Sequence, residues 1–329
     1  MTMKALVLDR PGSPSSLRMA EVARPAPGPG EVLVRVHAVG LNPVDYKLAQ
    51  SGHARWQYPF ILGLDVAGTI EELGEGVTSW QRGEAIYYHG DLSRPGGYAQ
   101  WAVVAAHVVA PLPAGLTFEQ AAALPCAGFT AYLALERKLH IRFGQTVLVT
   151  GGAGGVGGFA VQLAAKSGCS VIATCSARNF AYVRSLGAAE LVDYTTENLT
   201  ERVRSLTGSR GVDAVVDTVS GASATEAAGL LAFNGGIACV AGMADLAAAR
   251  PFRHAASVHG VMLGGAHLSG DRPAQEDLAR MGREFGALVS SGRIDPMLHE
   301  VIALAEIPEA LERLSARHVR GKIVAALYR

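Results

Sequence analysis

Residues 145–158 read Gln-Thr-Val-Leu-Val-Thr-Gly-Gly-Ala-Gly-Gly-Val-Gly-Gly, and their reading decides the fold. An apolar, β-branched strand over 146–150 runs into Gly152-x-Gly154-x-x-Gly157, followed by the helical spacing Val156, Ala160, Leu163, Ala164. Strand, glycine turn and helix start in this order form the fingerprint of a dinucleotide site. The N–H groups and positive dipole at the helix N-terminus bind a pyrophosphate. Glycine lets the backbone approach the phosphates and the helix pack on the strand. Gly152, Gly154, Gly155, Val156 and Gly157 are therefore the first candidate cofactor residues.

Which dinucleotide is bound is decided at the end of the next strand, 170–175. A chain selective for NAD places Asp or Glu there, roughly 20 residues past the glycines, to accept from the ribose 2′-hydroxyl. No acidic residue occurs between Gly152 and Ala189. Cys175 is followed instead by Ser176 and Arg178, a hydroxyl and a guanidinium suited to a phosphate dianion. The expected cofactor is NADPH.

Outward from this turn the chain changes character in both directions. Residues 3–8, 32–39, 68–72, 85–88 and 99–104 read as short strands set off by glycine and proline, a mostly β region. Helical patterns follow from 117 and over 128–137. Strands at 146–150, 170–175, 191–194, 212–219, 236–242 and 258–265 then alternate with helices, the signature of a doubly wound parallel sheet. After helices over 273–290 and 307–315, a last strand over 322–327 is expected to return to the first region. The fold class is thus α/β, with a Rossmann sheet inserted in a mostly β domain and the substrate cleft expected between the two parts.

A hydrophobic content of 49% against 18% charged residues describes a well-packed globular chain. Zero formal net charge excludes the basic excess of a nucleic-acid or membrane-surface protein. The four cysteines, at 126, 169, 175 and 239, form no CxxC pair, so neither a disulfide framework nor a zinc knuckle is indicated. With no signal-like or spanning apolar run, the expected setting is cytoplasmic.

Several separated segments resemble the medium-chain dehydrogenase/reductase superfamily, most closely its zinc-free quinone oxidoreductase branch. They are Gly40-Leu-Asn-Pro-Val-Asp-Tyr46, Gly63-Leu-Asp-Val-Ala-Gly68, the Ala-Ala-Leu-Pro-Cys-Ala-Gly-Phe-Thr-Ala-Tyr run ending at Tyr132, the glycine turn, and Gly321-Lys-Ile-Val324. The resemblance implies a GroES-like catalytic domain at 1–121 and 267–329 around an NADP(H)-binding Rossmann domain at 122–266. It implies a homodimer. The superfamily's alcohol dehydrogenases hold catalytic zinc with Cys, His and Cys at places that here are Asn42, Leu64 and Cys126, so no metal is expected.

Without a Lewis acid, hydride must go to an already electrophilic acceptor, a quinone or other conjugated enone. The alternatives are an enoyl-thioester or alkenal double-bond reductase, or an NADPH-binding protein with only secondary catalysis. The resemblance places Asn42 beside the nicotinamide and acceptor. Tyr46 is the preferred proton donor, with Tyr88 or His89 as alternatives, and Asp45 is expected to cap a helix. It further implies Thr130 near the nicotinamide, Ser176, Arg178 and Tyr194 at the 2′-phosphate, and Gly242, Met243, Gly265 and Ala266 at the ends of the fifth and sixth strands. Lys322 is expected to reach the cofactor from the returning segment.

Overall fold

The computed structural model describes residues 1–317 and 319–328, and the chain divides into two compact units. The first comprises Met1–Phe129, Gly264–Gly292 and Pro296–Arg329; the second comprises Thr130–Leu263 and Arg293–Asp295.

The second unit is built on a six-stranded parallel sheet. In spatial order its strands are Glu190–Asp193, Ser170–Cys175, Thr146–Val149, Val212–Asp217, Leu231–Cys239 and Ser257–Gly260. The order reverses beside Thr146–Val149, the switch point at which doubly wound sheets bind ligands. The helix Gly155–Lys166 follows that strand directly, burying Phe159, Ala160, Val161, Leu163 and Ala164. Gln162 of this helix exchanges two hydrogen bonds with the main chain of Asp295, sewing the short returning segment into the unit.

In the first unit the long strand Glu31–Gly40 is the spine of a seven-stranded sheet. It pairs with Asp65–Leu73, Trp101–Ala105 and the last strand, Lys322–Ala326. The returning strand therefore joins the first unit, as its distance from the sixth Rossmann strand suggested. A three-stranded sheet is formed by Thr2–Leu8, Arg18–Ala23 and Phe60–Ile61.

Three elements differ from the sequence reading. The strand expected over 258–265 stops at Gly260, and Gly265–Leu268 is a short helix of the first unit. The Val261 N–H makes the last bond to the neighbouring strand, to the Cys239 carbonyl, and Val261 and Leu263 are buried beyond the strand's end, so the apolar run outlasts the strand. The strand expected over 236–242 spans Leu231–Cys239, its alternation broken by Asn234 and two glycines. The helix expected over 128–137 is one α turn, Thr130–Tyr132, between π-wound segments Pro125–Phe129 and Leu133–Leu139.

Candidate active site

The glycine turn has the geometry a pyrophosphate site requires. Gly151 has φ +71°, a left-handed conformation that suits glycine. A Cβ on Gly157 would lie 2.2 Å from the Gly151 carbonyl oxygen, so only a bare backbone allows the helix to start this close to the turn. Gly154 is the N-cap of Gly155–Lys166, and Gly155 and Val156 open its first turn. Gly152 donates its N–H to the Thr174 carbonyl and Gly151 donates to Thr174 Oγ1, tying the turn to the neighbouring strand. Buried Asp217 braces the other side, accepting from Thr150, Ser223 and the N–H groups of Val219 and Ser220. Asp217 was not singled out in the sequence; its signal is an acidic residue ending the apolar run Ala214–Val216.

Ser176 and Arg178 follow the carboxyl end of Ser170–Cys175, the neighbour of Thr146–Val149, and Tyr194 follows Glu190–Asp193, one strand further out, all on the same edge of the sheet as the turn. Ser176 is half-buried and Asn179 Nδ2 donates to its hydroxyl at 3.2 Å, while Arg178 and Tyr194 are exposed. Gly242 and Met243 lie a few residues beyond Cys239, past the strand rather than at its end, and Met243 is exposed. Thr130 is buried at the first position of its α turn. Gly265 and Ala266 stand outside the Rossmann sheet, in the short helix of the first unit. The bare turn and helix N-terminus fit the pyrophosphate of a dinucleotide; no acidic residue directly follows the second strand in sequence, but the Asp193 carboxylate of the neighbouring strand accepts the Ala177 N–H there.

The first unit gathers the other polar candidates into one buried cluster. Asn42 precedes the helix Pro43–Ser51, and its main-chain N–H donates to Asp45 Oδ2 at 2.8 Å. The Asp45 N–H bonds to the Asn42 main-chain carbonyl at 3.0 Å, and the Asn42 side chain turns elsewhere. Its Nδ2 donates to Asp65 Oδ2 at 2.8 Å, and its Oδ1 accepts from the Lys322 ammonium. Lys322 Nζ also donates to the Leu41 carbonyl at 3.0 Å and lies 3.8 Å from Asp65 Oδ2. Asp65 accepts further from His89 Nδ1 at 3.0 Å and from the Cys126 N–H at 2.9 and 3.0 Å. That N–H is free because the first N–H groups of a helix lack partners within it. Asn42, Asp65, His89 and Lys322 are each at most 3% exposed.

Burial raises the Asp45 carboxyl from 3.8 to about 7, against the pull of the Asn42 N–H and with some help from the charge of Asp65. Burial, and then the Asp65 charge, push the Cys126 thiol far above its ordinary value. Tyr46 packs into the apolar core of the unit. Tyr88 is buried beside a cavity of about 190 Å³, lined also by Gly63, Gly90, Arg94, His267 and Gln275. Burial holds the Tyr88 phenol well above its usual range, so it remains protonated. His267 Nε2 lies 3.0 Å from the His89 carbonyl, linking the cavity wall to the cluster. Asp65 was missed as a site residue, although a carboxylate opening the apolar Asp65–Leu73 strand was a readable signal.

Asp65, His89 and Cys126 place three potential metal-ligand atoms within 4.8 Å of one another. They do not fit zinc. Both Asp65 oxygens already accept N–H groups, and an ammonium stands 3.8 Å away, where a dication would meet like charge.

Residues 28–114 match the family model for the alcohol dehydrogenase GroES-like domain, and residues 186–324 match that for zinc-binding dehydrogenase. A quinone oxidoreductase of Rattus norvegicus is 34% identical over 72% of this chain and 73% of its own. The quinone oxidoreductase structure from Coxiella burnetii is 30% identical, covering 99% of this chain and 100% of that one, with a TM-score of 0.88. The CurK enoyl reductase structure is 25% identical over 99% of each chain, also with a TM-score of 0.88. The chain belongs to the medium-chain dehydrogenase/reductase superfamily of nicotinamide-dependent oxidoreductases, and within it is quinone oxidoreductase-like. Among the described residues no helix is long and apolar enough to cross a membrane.

Proposed function

We propose that the protein is an NADPH-dependent, zinc-independent reductase that transfers hydride to a small quinone or other conjugated carbonyl. The observation that carries this reading is the Asn42–Asp65–Lys322 cluster, whose one carboxylate is fully engaged by N–H donors and an ammonium. Such a cluster offers no Lewis acid to activate an alcohol, so the acceptor must itself be electrophilic. Conjugation meets that need by spreading the developing charge onto oxygen.

The cofactor, when bound, supplies the hydride. Gly152, Gly154, Gly155, Val156 and Gly157 would hold its pyrophosphate, and Ser176, Arg178 and Tyr194 its 2′-phosphate. Thr130, Gly242 and Met243 remain candidates for the nicotinamide end, and Gly265 and Ala266 for contacts from the first unit. Asn42 would offer an amide N–H to the carboxamide or the acceptor oxygen, and Tyr46, Tyr88 or His89 the proton. The Tyr88 cavity, at about 190 Å³, suits a single small ring better than a nucleotide-bearing thioester. A homodimer working in the cytoplasm completes the proposal.

The test is NADPH consumption by chelator-treated protein with a small para-quinone and, in parallel, a small conjugated enone, with NADH as control. Turnover that survives chelation and prefers NADPH supports the reading. Preference for the enone moves the acceptor class to activated alkenes. Dependence on added zinc, or an absence of turnover with both acceptors despite tight NADPH binding, overturns it.

A further inference from the structure

We infer that Lys322 is the resident cation of this site and that it acts as a positioning residue by locking the orientation of the Asn42 amide. The inference deepens the reductase reading above and rests on it for its kinetic arm. An asparagine amide has one acceptor oxygen and two N–H donors. Here the oxygen accepts from the ammonium and one N–H donates to the Asp65 carboxylate. A flipped amide would turn its N–H groups onto an ammonium and its oxygen onto a carboxylate, losing both bonds and meeting two repulsions. One orientation is thus enforced, and a single N–H is left to offer to cofactor or acceptor.

The two charges act on the amide in the same sense. An ammonium at the oxygen and a carboxylate at the nitrogen both draw electron density toward the oxygen, and in a buried, low-dielectric site such chains strengthen their members. Lys322 is itself fixed by the Leu41 carbonyl, and it is 3% exposed, so the arrangement is built into the core rather than improvised at the surface. The same ammonium excludes a divalent ion from the Asp65, His89 and Cys126 atoms.

The experiment is a double-mutant cycle with Lys322→Met, Asn42→Ala and their combination, read as kcat with a quinone and as NADPH affinity by fluorescence titration. Lys322→Met should lower kcat at least ~10-fold when Asn42 is present and less than ~2-fold when it is absent, with NADPH affinity little changed. Losses that simply multiply would show that Lys322 does not act through Asn42 and would overturn the inference. Because Lys322→Met leaves the Asp65 carboxylate without its counter-charge and threatens folding, the charge-compensated Asp65→Asn/Lys322→Met protein supplies a second variant; wild-type kcat in it also overturns the inference.

A readout independent of turnover is the side-chain amide resonance pair of Asn42, assigned by its loss in Asn42→Ala. One proton should be shifted downfield and protected from exchange in the wild type, and that protection should weaken measurably in Lys322→Met, where Asp65 alone holds the amide; unchanged protection would overturn the inference. The weakening, found in a protein inactive with every acceptor, would sink the reductase reading and leave the clamp standing. Stoichiometric zinc uptake by the wild type, with a raised Tm, would overturn the resident-cation half.

Discussion

Arg178 and Asp45 show how single residues translate into measurable behaviour. Arg178 stands just past the second Rossmann strand, where a carboxylate would favour NAD. Replacing it by Ala is expected to weaken NADPH by roughly 10–100-fold, the range of a charge-assisted hydrogen bond, while leaving NADH nearly unchanged. Equal losses for both cofactors in a binding titration would remove its 2′-phosphate role. Asp45 makes a prediction of opposite sign to that of most carboxylates. Its folded value, about 7, lies above its ordinary 3.8, so the folded chain binds the proton more tightly than the unfolded chain. The stabilisation is complete at low pH and is lost as pH rises through the window from 3.8 to about 7. Asp45→Asn, whose amide oxygen can still accept from Asn42, should flatten the fall in Tm across that window relative to wild type. Parallel Tm-against-pH curves for the two proteins would show that Asp45 is not the group responsible.

At the level of elements, the glycine turn carries the sharpest expectation. Gly157→Ala puts a methyl group 2.2 Å from a main-chain oxygen that cannot swing away. The helix must shift, costing about 1–3 kcal/mol, and the N–H groups aimed at the pyrophosphate shift with it. Thermal unfolding and NADPH titration should both register the change; a protein with unaltered NADPH affinity would show that the turn does not bind the phosphates. This turn was legible because its information is local: strand, spacing and helix all lie within residues 145–164. The helix Ile307–Ser315 was legible for the same reason. The strand Arg18–Ala23 was not, since it is largely exposed and lacks an apolar alternation. The end of Ser257–Gly260 was hidden because Val261 and Leu263 continue the apolar run into core packing past the strand's last residue. The Asn42 cluster was half legible. The amide and the lysine were named from motifs and the carboxylate was passed over although it opens an apolar strand; what the sequence does not show is that it joins them, which takes laying strands from distant parts of the chain side by side.

For the whole molecule, the consequence of cofactor choice is a linked stability. A ligand that binds only the folded chain stabilises it by mass action, roughly 2.7 kcal/mol at a hundredfold excess over Kd. NADPH should therefore raise Tm by several degrees at concentrations where NADH does little, and Arg178→Ala should erase the difference between them. A larger shift with NADH would reverse the cofactor assignment. Zero net charge at neutral pH and a pI near 7.2 leave little long-range field to steer an anionic cofactor, so association should depend only weakly on ionic strength.

The 280 residues separating Asn42 from Lys322 also govern how the protein comes off the ribosome. Asparagine and carboxylate are translated before the glycine turn, and the ammonium well after it. A nascent chain holding every phosphate-binding glycine therefore still lacks the cation of its polar cluster. A chain ending between the turn and Lys322 leaves the buried Asp65 carboxylate with its N–H donors but without its lysine counter-charge, so the first unit cannot complete its core ahead of the second.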